Sequence, residues 1–133
     1  MSLYDDVQTM IIDNQKFRDL NKNNILDVYE DHRLDAETRS EDLLNLMTID
    51  EKIGQMFHPP FILKPDFFMM LYEIAIRGNK LTETQIVDDN ITHFNLYGNP
   101  SPFELGVKIN HLQKIASKTR LGIPITISSD PIH

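Results

Sequence analysis

The chain has 133 residues, 41% of them hydrophobic, which is enough to bury a modest core. A formal net charge of -7 argues against nucleic acid or an anionic membrane surface as partner. There is no cysteine, so disulfides and thiolate chemistry are excluded, and no apolar run reaches the length of a membrane span.

Residues 1–18 give a weak signal. Val7, Met10 and Ile11 fit one face of a short helix, and Asp13-Asn14 then interrupts it. The opening MSLYDDV is acidic where a secretory leader would be basic and then apolar. A cytoplasmic location follows if this is the native start, and a periplasmic or secreted one if a leader has been removed.

Residues 19–30, DLNKNNILDVYE, carry the spacing of a calcium loop. Asp19, Asn21 and Asn23 take positions one, three and five, and Asp27 and Glu30 take positions nine and twelve. Ile25 would lend its carbonyl. Hard oxygens at these intervals allow one tight loop to turn all of them onto a single cation. Position six, ordinarily glycine, is Asn24, the next most tolerant residue of left-handed backbone. The alternative is an Asx-rich surface turn whose polar side chains bond their own backbone.

From residue 35 the chain reads as helical. Asp35 is placed to cap a helix bearing Leu43, Leu44, Leu46 and Met47, and Thr48 to Glu51 is a capping box for a second. Ile49, Ile53, Met56 and Phe57 make a stripe expected to pack into the core, with Gly54 permitting a close contact. His58-Pro59-Pro60 ends that helix, and Phe61 to Arg77 is expected to form a buried or partner-facing helix. A short helix is expected from Thr82.

Ile91 to Tyr97 is rich in β-formers and closed by Gly98-Asn99-Pro100, as a strand should be. Its His93, Asn95 and Tyr97 share one face and are secondary site candidates. Ser101-Pro102-Phe103-Glu104 then starts a helix with a cap, an N1 proline and a capping box. Leu105, Ile109, Leu112 and Ala116 form its inward stripe. In LGIPITISSDPIH, residues 121–133, Ile123, Ile125 and Ile127 alternate with Thr126 and Ser128. Both sets suit a parallel strand covered on two sides. By parity Thr126, Ser128 and Asp130 share a face, with Asp130 just past the strand's C-terminal end, where parallel α/β folds place ligand-binding groups. Strand, helix and strand make a βαβ unit. The chain stops at His133, at the rim of its own candidate site, and is expected to be part of a longer protein.

Together these segments resemble glycoside hydrolase family 3, the β-glucosidases and their relatives. The segment at 19–31, then Arg39 with Asp42-Leu43-Leu44 and MTIDEKIGQM (47–56), and finally RLGIPITISSDPIH resemble the family's motifs in the family's order, over residues 17–133. The resemblance implies an α/β fold: the N-terminal part of a (β/α)8 TIM-like barrel, a helical lead-in plus the first βαβ unit, incomplete in this chain. Residues 1–34 would be the lead-in with the calcium-like loop, and 35–133 the helical segment and truncated barrel portion. It also implies a retaining, exo-acting hydrolase of β-glucosides or β-xylosides that uses two carboxylates and no cofactor. Asp130 matches the aspartate that binds sugar hydroxyls in subsite -1, and His133 the histidine of the same turn. The nucleophile and the acid/base match no position here, so this piece alone should be inactive. Exposed barrel edges would favour oligomerisation. Two competing readings are a small calcium-binding interaction module and a non-catalytic domain that pairs with a separately encoded remainder.

Overall fold

The computed structural model describes residues 7–63, 71 and 81–129. It is a mixed α/β structure with a small antiparallel hairpin and a three-stranded parallel sheet.

The hairpin pairs β1 (Thr9–Ile12) with β2 (Gln15–Arg18), Ile12 opposite Gln15. This replaces the short helix expected there. The cause is the turn: Asp13 and Asn14 both adopt left-handed backbone, at φ 50° and 63°. Paired positive φ is the requirement of the two-residue turn whose twist matches antiparallel strands. What reads as a helix break is a hairpin turn. Phe17 of β2 anchors the hairpin, only 1% exposed, with the His32 ring stacked on it at 4.7 Å and the Arg33 guanidinium 4.8 Å from its ring centre.

Beyond the 19–30 loop and a short 3-10 turn at Val28–Glu30, α1 runs Ala36–Leu46 and α2 runs Ile49–Gly54. Both caps are made as the sequence implies. The Asp35 carboxylate accepts from the Thr38 N–H at 2.9 Å, and Thr48 and Glu51 close a reciprocal box. The inward face of α2 is not the apolar stripe, however. Ile49, Ile53, Met56 and Phe57 are exposed, while Glu51 and Gly54 are buried. Amphipathicity shows that a face can be buried but not which neighbour is present to bury it, and within this chain the stripe is uncovered. Gly54 does serve close packing, because a Cβ there would lie 2.4 Å from the Asn90 carbonyl oxygen.

The main sheet has the order β3 (Pro60–Ile62), β4 (His93–Tyr97), β5 (Thr126–Ser129), all parallel. Strand β3 was unexpected: the chain is extended where the helix over 61–77 should begin. Its prolines sit at and before the first residue of an edge strand, where no ladder N–H is lost. Residues 64–70 and 72–77 of that expected helix lie outside the described residues. Between β3 and β4 lies α3 (Thr82–Asp88), starting at Thr82 as expected. Between β4 and β5 lies α4 (Pro102–Ala116), with Ser101 accepting from the Glu104 N–H. The predicted βαβ unit is therefore present, with a second parallel crossover before it.

One face of the sheet carries the core. Phe61 and Phe94 from the strands and Ile125 just before β5 meet Ile86 of α3, Ile91, and Leu112 and Ala116 of α4. Leu112 and Ala116 are fully buried, the deep end of the predicted stripe. Gln113 of α4 grips the Ile125 backbone twice, accepting its N–H at 3.1 Å and donating to its carbonyl at 2.8 Å. On the opposite face Thr126 and Ser128 of β5 are exposed and His93 and Asn95 of β4 half-buried, so among the described residues no second layer covers β5 there.

Candidate functional site

Two places gather chemistry-bearing side chains. The first is the bare face of the parallel sheet. Residues that pair across a parallel ladder share a face, and here His93 stands beside Thr126, Asn95 beside Ser128, and Ile62 beside Tyr97. The apolar Phe61 and Phe94 point the other way, into the core. The exposed face thus carries polar side chains along β4 and β5, with Pro60 and Ile62 at the β3 edge. Ser128 Oγ donates within reach of Asn95 Oδ1 at 3.2 Å and the Phe94 carbonyl at 3.3 Å, tying the two strands. Tyr97, at the C-terminal end of β4, is 47% exposed. Asp130 and His133 lie outside the described residues. The strand that leads to Asp130 ends at Ser129, the last residue described.

Asn95, Tyr97 and Ser128 offer hydroxyl and amide groups suited to a polyhydroxylated ligand. Among the described residues this face holds no carboxylate, and so no nucleophile with an adjacent acid. What it offers is orientation of a ligand. Parity within each strand was legible in the sequence; the register that sets Asn95 beside Ser128 was not.

The second place is the 19–30 loop. Asp19 is wholly buried and accepts from the Asn23 N–H at 3.1 Å and the Asn24 N–H at 3.0 Å. Glu30, 5% exposed, returns over the loop to accept from Leu20 N–H at 2.6 Å, Asn21 N–H at 3.3 Å and Asp27 N–H at 3.2 Å. Asn24 sits at φ 63°, the left-handed conformation expected at the sixth position. Asp27 Oδ2 accepts from the side-chain amides of Asn21 and Asn23, each at 2.7 Å. The Asn23 side-chain oxygen accepts from Ile25 N–H at 2.7 Å, and Ile25 itself is exposed. Asp19, Asn21, Asn23, Asp27 and Glu30 thus turn their side-chain oxygens onto the loop's own N–H and amide groups. Three carboxylates, two amides and a carbonyl would make an all-oxygen donor set, the chemistry that suits a hard cation and not a soft one. The loop is also closed by its own hydrogen bonds, as the Asx-turn alternative requires. Among the described residues no three His, Asp or Glu side chains gather in a metal-holding group.

The loop is fastened to the far end of the chain. Lys22 Nζ donates to the Thr119 carbonyl at 2.5 Å, and Tyr29 Oη to the Leu121 carbonyl at 3.2 Å. Gly122 is left-handed at φ 58°, and a Cβ there would come within 2.7 Å of the Leu20 carbonyl oxygen. Burial lowers the Lys22 ammonium from its ordinary value, opposed by the charges of Asp19 and Glu30. Burial, with Glu30 alongside, pushes the Tyr29 phenol above its ordinary range. Tyr29 is also held by its backbone, its N–H donating to Asp42 at 3.0 Å and its carbonyl accepting from Arg39 Nε at 3.0 Å.

The remaining motif residues are clamps as well. Glu51 binds Arg120, with Nη2 to Oε2 at 2.5 Å and Nε to Oε1 at 3.0 Å, and Arg120 also reaches the Leu46 carbonyl. Arg120 is thus the tie between α2 and the approach to β5. Gln55 donates to the Asn90 carbonyl.

A protein of Emericella nidulans named Beta-glucosidase C is 39% identical over 116 residues, 86% of this chain and 18% of that protein. One of Dickeya chrysanthemi named Periplasmic beta-glucosidase/beta-xylosidase is 38% identical over 117 residues, 86% of this chain and 17% of its own length. The chain is homologous to β-glucosidases. A Probable beta-glucosidase C of Aspergillus oryzae agrees, at 36% identity over 84% of the chain and 17% of that protein. These relatives support the glycoside hydrolase family 3-like recognition that the three motifs suggested. The chain spans 17–18% of the length of the relatives just named. No protein-family profile matches it. Among the described residues no helix is long and apolar enough to cross a membrane.

Proposed function

We propose that this chain is the N-terminal portion of a retaining, exo-acting β-glucosidase of glycoside hydrolase family 3, and that it supplies part of the sugar-binding wall without the catalytic carboxylates. The observation that carries the reading is homology to β-glucosidases at 36–39% identity over 84–86% of the chain. In this reading β3, β4 and β5 are strands of a (β/α)8 barrel, and their bare polar face lines its interior. Residues 1–34 are the lead-in and 35–133 the helical segment and truncated barrel portion. Asp130, on the parity of Thr126 and Ser128, hydrogen-bonds the hydroxyls of a β-glucoside or β-xyloside in subsite -1.

The test is substitution in the full-length protein. Asp130→Asn should lower kcat/KM on an aryl β-glucoside about 10–150-fold, since a hydrogen bond to a charged group contributes about 1.5–3 kcal/mol and the amide keeps only one oxygen acceptor. Ser129→Ala, on the other parity, should change it less than threefold. Equal activity of Asp130→Asn and the unsubstituted enzyme would overturn the assignment. The 133-residue chain alone should give no hydrolysis above blank, and its β3 and β5 edges, unpaired among the described residues, should make it self-associate on size exclusion.

A second reading concerns the loop. Its buried carboxylates and the left-handed Asn24 favour a structural calcium ion held by Asp19, Asn21, Asn23, Asp27, Glu30 and the Ile25 carbonyl. Calcium should then bind at one per chain by calorimetry, and Glu30→Gln should weaken it at least tenfold. No heat and no change in melting temperature at 5 mM calcium would leave the loop as an Asx turn. If calcium binds while the full-length protein hydrolyses no β-glycoside, the calcium-module reading prevails.

A further inference from the structure

At the opposite end of the sheet from Ser129, two imidazoles stand side by side. His58 precedes β3 by the same two places that His93 precedes Asn95, the partner of Pro60, so the parallel register brings the two histidines abreast. Their ring centres are 5.2 Å apart and tilted by 33°. His58 is exposed and His93 half-buried.

A relay of hydrogen bonds fixes the protonation of His93. Gln55 Nε2 donates to the Asn90 carbonyl at 3.3 Å, which turns Gln55 Oε1 toward Thr92. Thr92 Oγ1 donates its only proton to that oxygen at 2.5 Å. Thr92 Oγ1 also lies 3.0 Å from His93 Nδ1, and having no second proton it can only accept there. His93 is therefore the Nδ1–H tautomer, with its lone pair on Nε2. A histidine that donates one ring N–H to a fixed acceptor and keeps the other nitrogen bare is prepared as a metal ligand.

We propose that His58 and His93 form a two-imidazole site for a divalent transition cation of the zinc, nickel or copper class, with Thr92 and Gln55 positioning His93. The separation fits. A metal about 2.1 Å from a ring nitrogen stands about 3.2 Å from that ring's centre, so centres 5.2 Å apart subtend roughly 109° at the metal, close to tetrahedral. Water completes the remaining positions.

The probe is zinc chloride titrated into the 133-residue chain at pH 7.5 by calorimetry, after treatment with chelator and dialysis. One zinc per chain is expected, weakened at least tenfold in His58→Gln and in His93→Gln. His32→Gln and His111→Gln serve as controls and should bind as the unsubstituted chain does. Thr92→Val should weaken binding about 10–100-fold, as loss of a ligand-orienting partner does, with His58 intact. Long-range nitrogen-15 spectra of the imidazoles should show His93 protonated at Nδ1 before zinc is added. His58 lies on the surface, so His58→Gln reports even if His93→Gln misfolds. Zinc affinity in His58→Gln within twofold of the unsubstituted chain, or no uptake at 1 mM zinc, would overturn the proposal.

Discussion

Gly54 and Gly106 are both helical glycines, and the structure assigns them opposite responses to the same substitution. At Gly106, within α4, an added Cβ meets nothing within 4 Å. Gly106→Ala should therefore express only the helix preference of alanine, a gain of up to about 1 kcal/mol. At Gly54, the last residue of α2, the same Cβ would lie 2.4 Å from the Asn90 carbonyl oxygen and 2.6 Å from that of Asp89. Both are backbone atoms, so no side-chain rotation relieves the clash. Restoring about 3.2 Å of separation requires α2 and the α3–β4 connection to part by roughly 0.8 Å, which also strains the Gln55–Asn90 hydrogen bond. Overpacking of this kind costs about 1–3 kcal/mol, more than the helix preference returns. Gly54→Ala should thus lose about 1–2 kcal/mol in urea unfolding and several degrees in melting temperature, while Gly106→Ala holds or rises. If both variants gained stability alike, the close approach of α2 to residues 89–90 would be refuted.

Three further outcomes follow from the clamps and turns. The Arg120 hydrogen bond holds the Glu51 carboxyl below its ordinary value of 4.5, so its contribution is complete above about pH 4.5 and is lost as pH falls through the lower folded-state value. Arg120→Met should cost about 1–2 kcal/mol at pH 7, and urea midpoints from pH 3 to 6 should show a shallower acid slope; curves parallel to the unsubstituted chain would contradict the pairing. Asn24→Ala should cost about 1–2 kcal/mol because its φ is 63°, whereas Asn24→Gly should avoid that strain; equal melting temperatures for the two would count against the left-handed loop. Asn14→Val, at φ 63° in the hairpin turn, should destabilise by about 1 kcal/mol or more and release Phe17, read as increased hydrogen exchange across residues 9–18.

What the sequence conveyed was the local chemistry. The caps at Asp35, Thr48 and Ser101 depend on side chains reaching backbone three residues away, and all three formed. The left-handed Asn24 and the α4 stripe ending in Leu112 and Ala116 are of the same kind. Contacts between distant segments were not legible. Nothing near Arg120 announces Glu51, 69 residues earlier, and nothing near Lys22 announces Thr119, 97 residues later. Asp13-Asn14 was ambiguous for a physical reason, because the same pair breaks a helix and builds a hairpin turn. Strand β3 was hidden by its brevity and by two prolines that ordinarily argue against a strand. The α2 stripe carried a correct message about amphipathicity and an incorrect one about burial. For the candidate site, parity placed Thr126 and Ser128 on one face, and register then set them beside His93 and Asn95.

The proposal that this chain is part of a retaining β-glucosidase makes a prediction about the whole protein. The most direct test is hydrolysis of 4-nitrophenyl β-glucoside by the full-length protein that contains it, with the anomer of the first-formed glucose followed by proton NMR. Turnover with β-glucose released first is expected, and none by the 133-residue chain alone. A full-length protein inert on β-glucosides and β-xylosides, or one releasing α-glucose first, would contradict it.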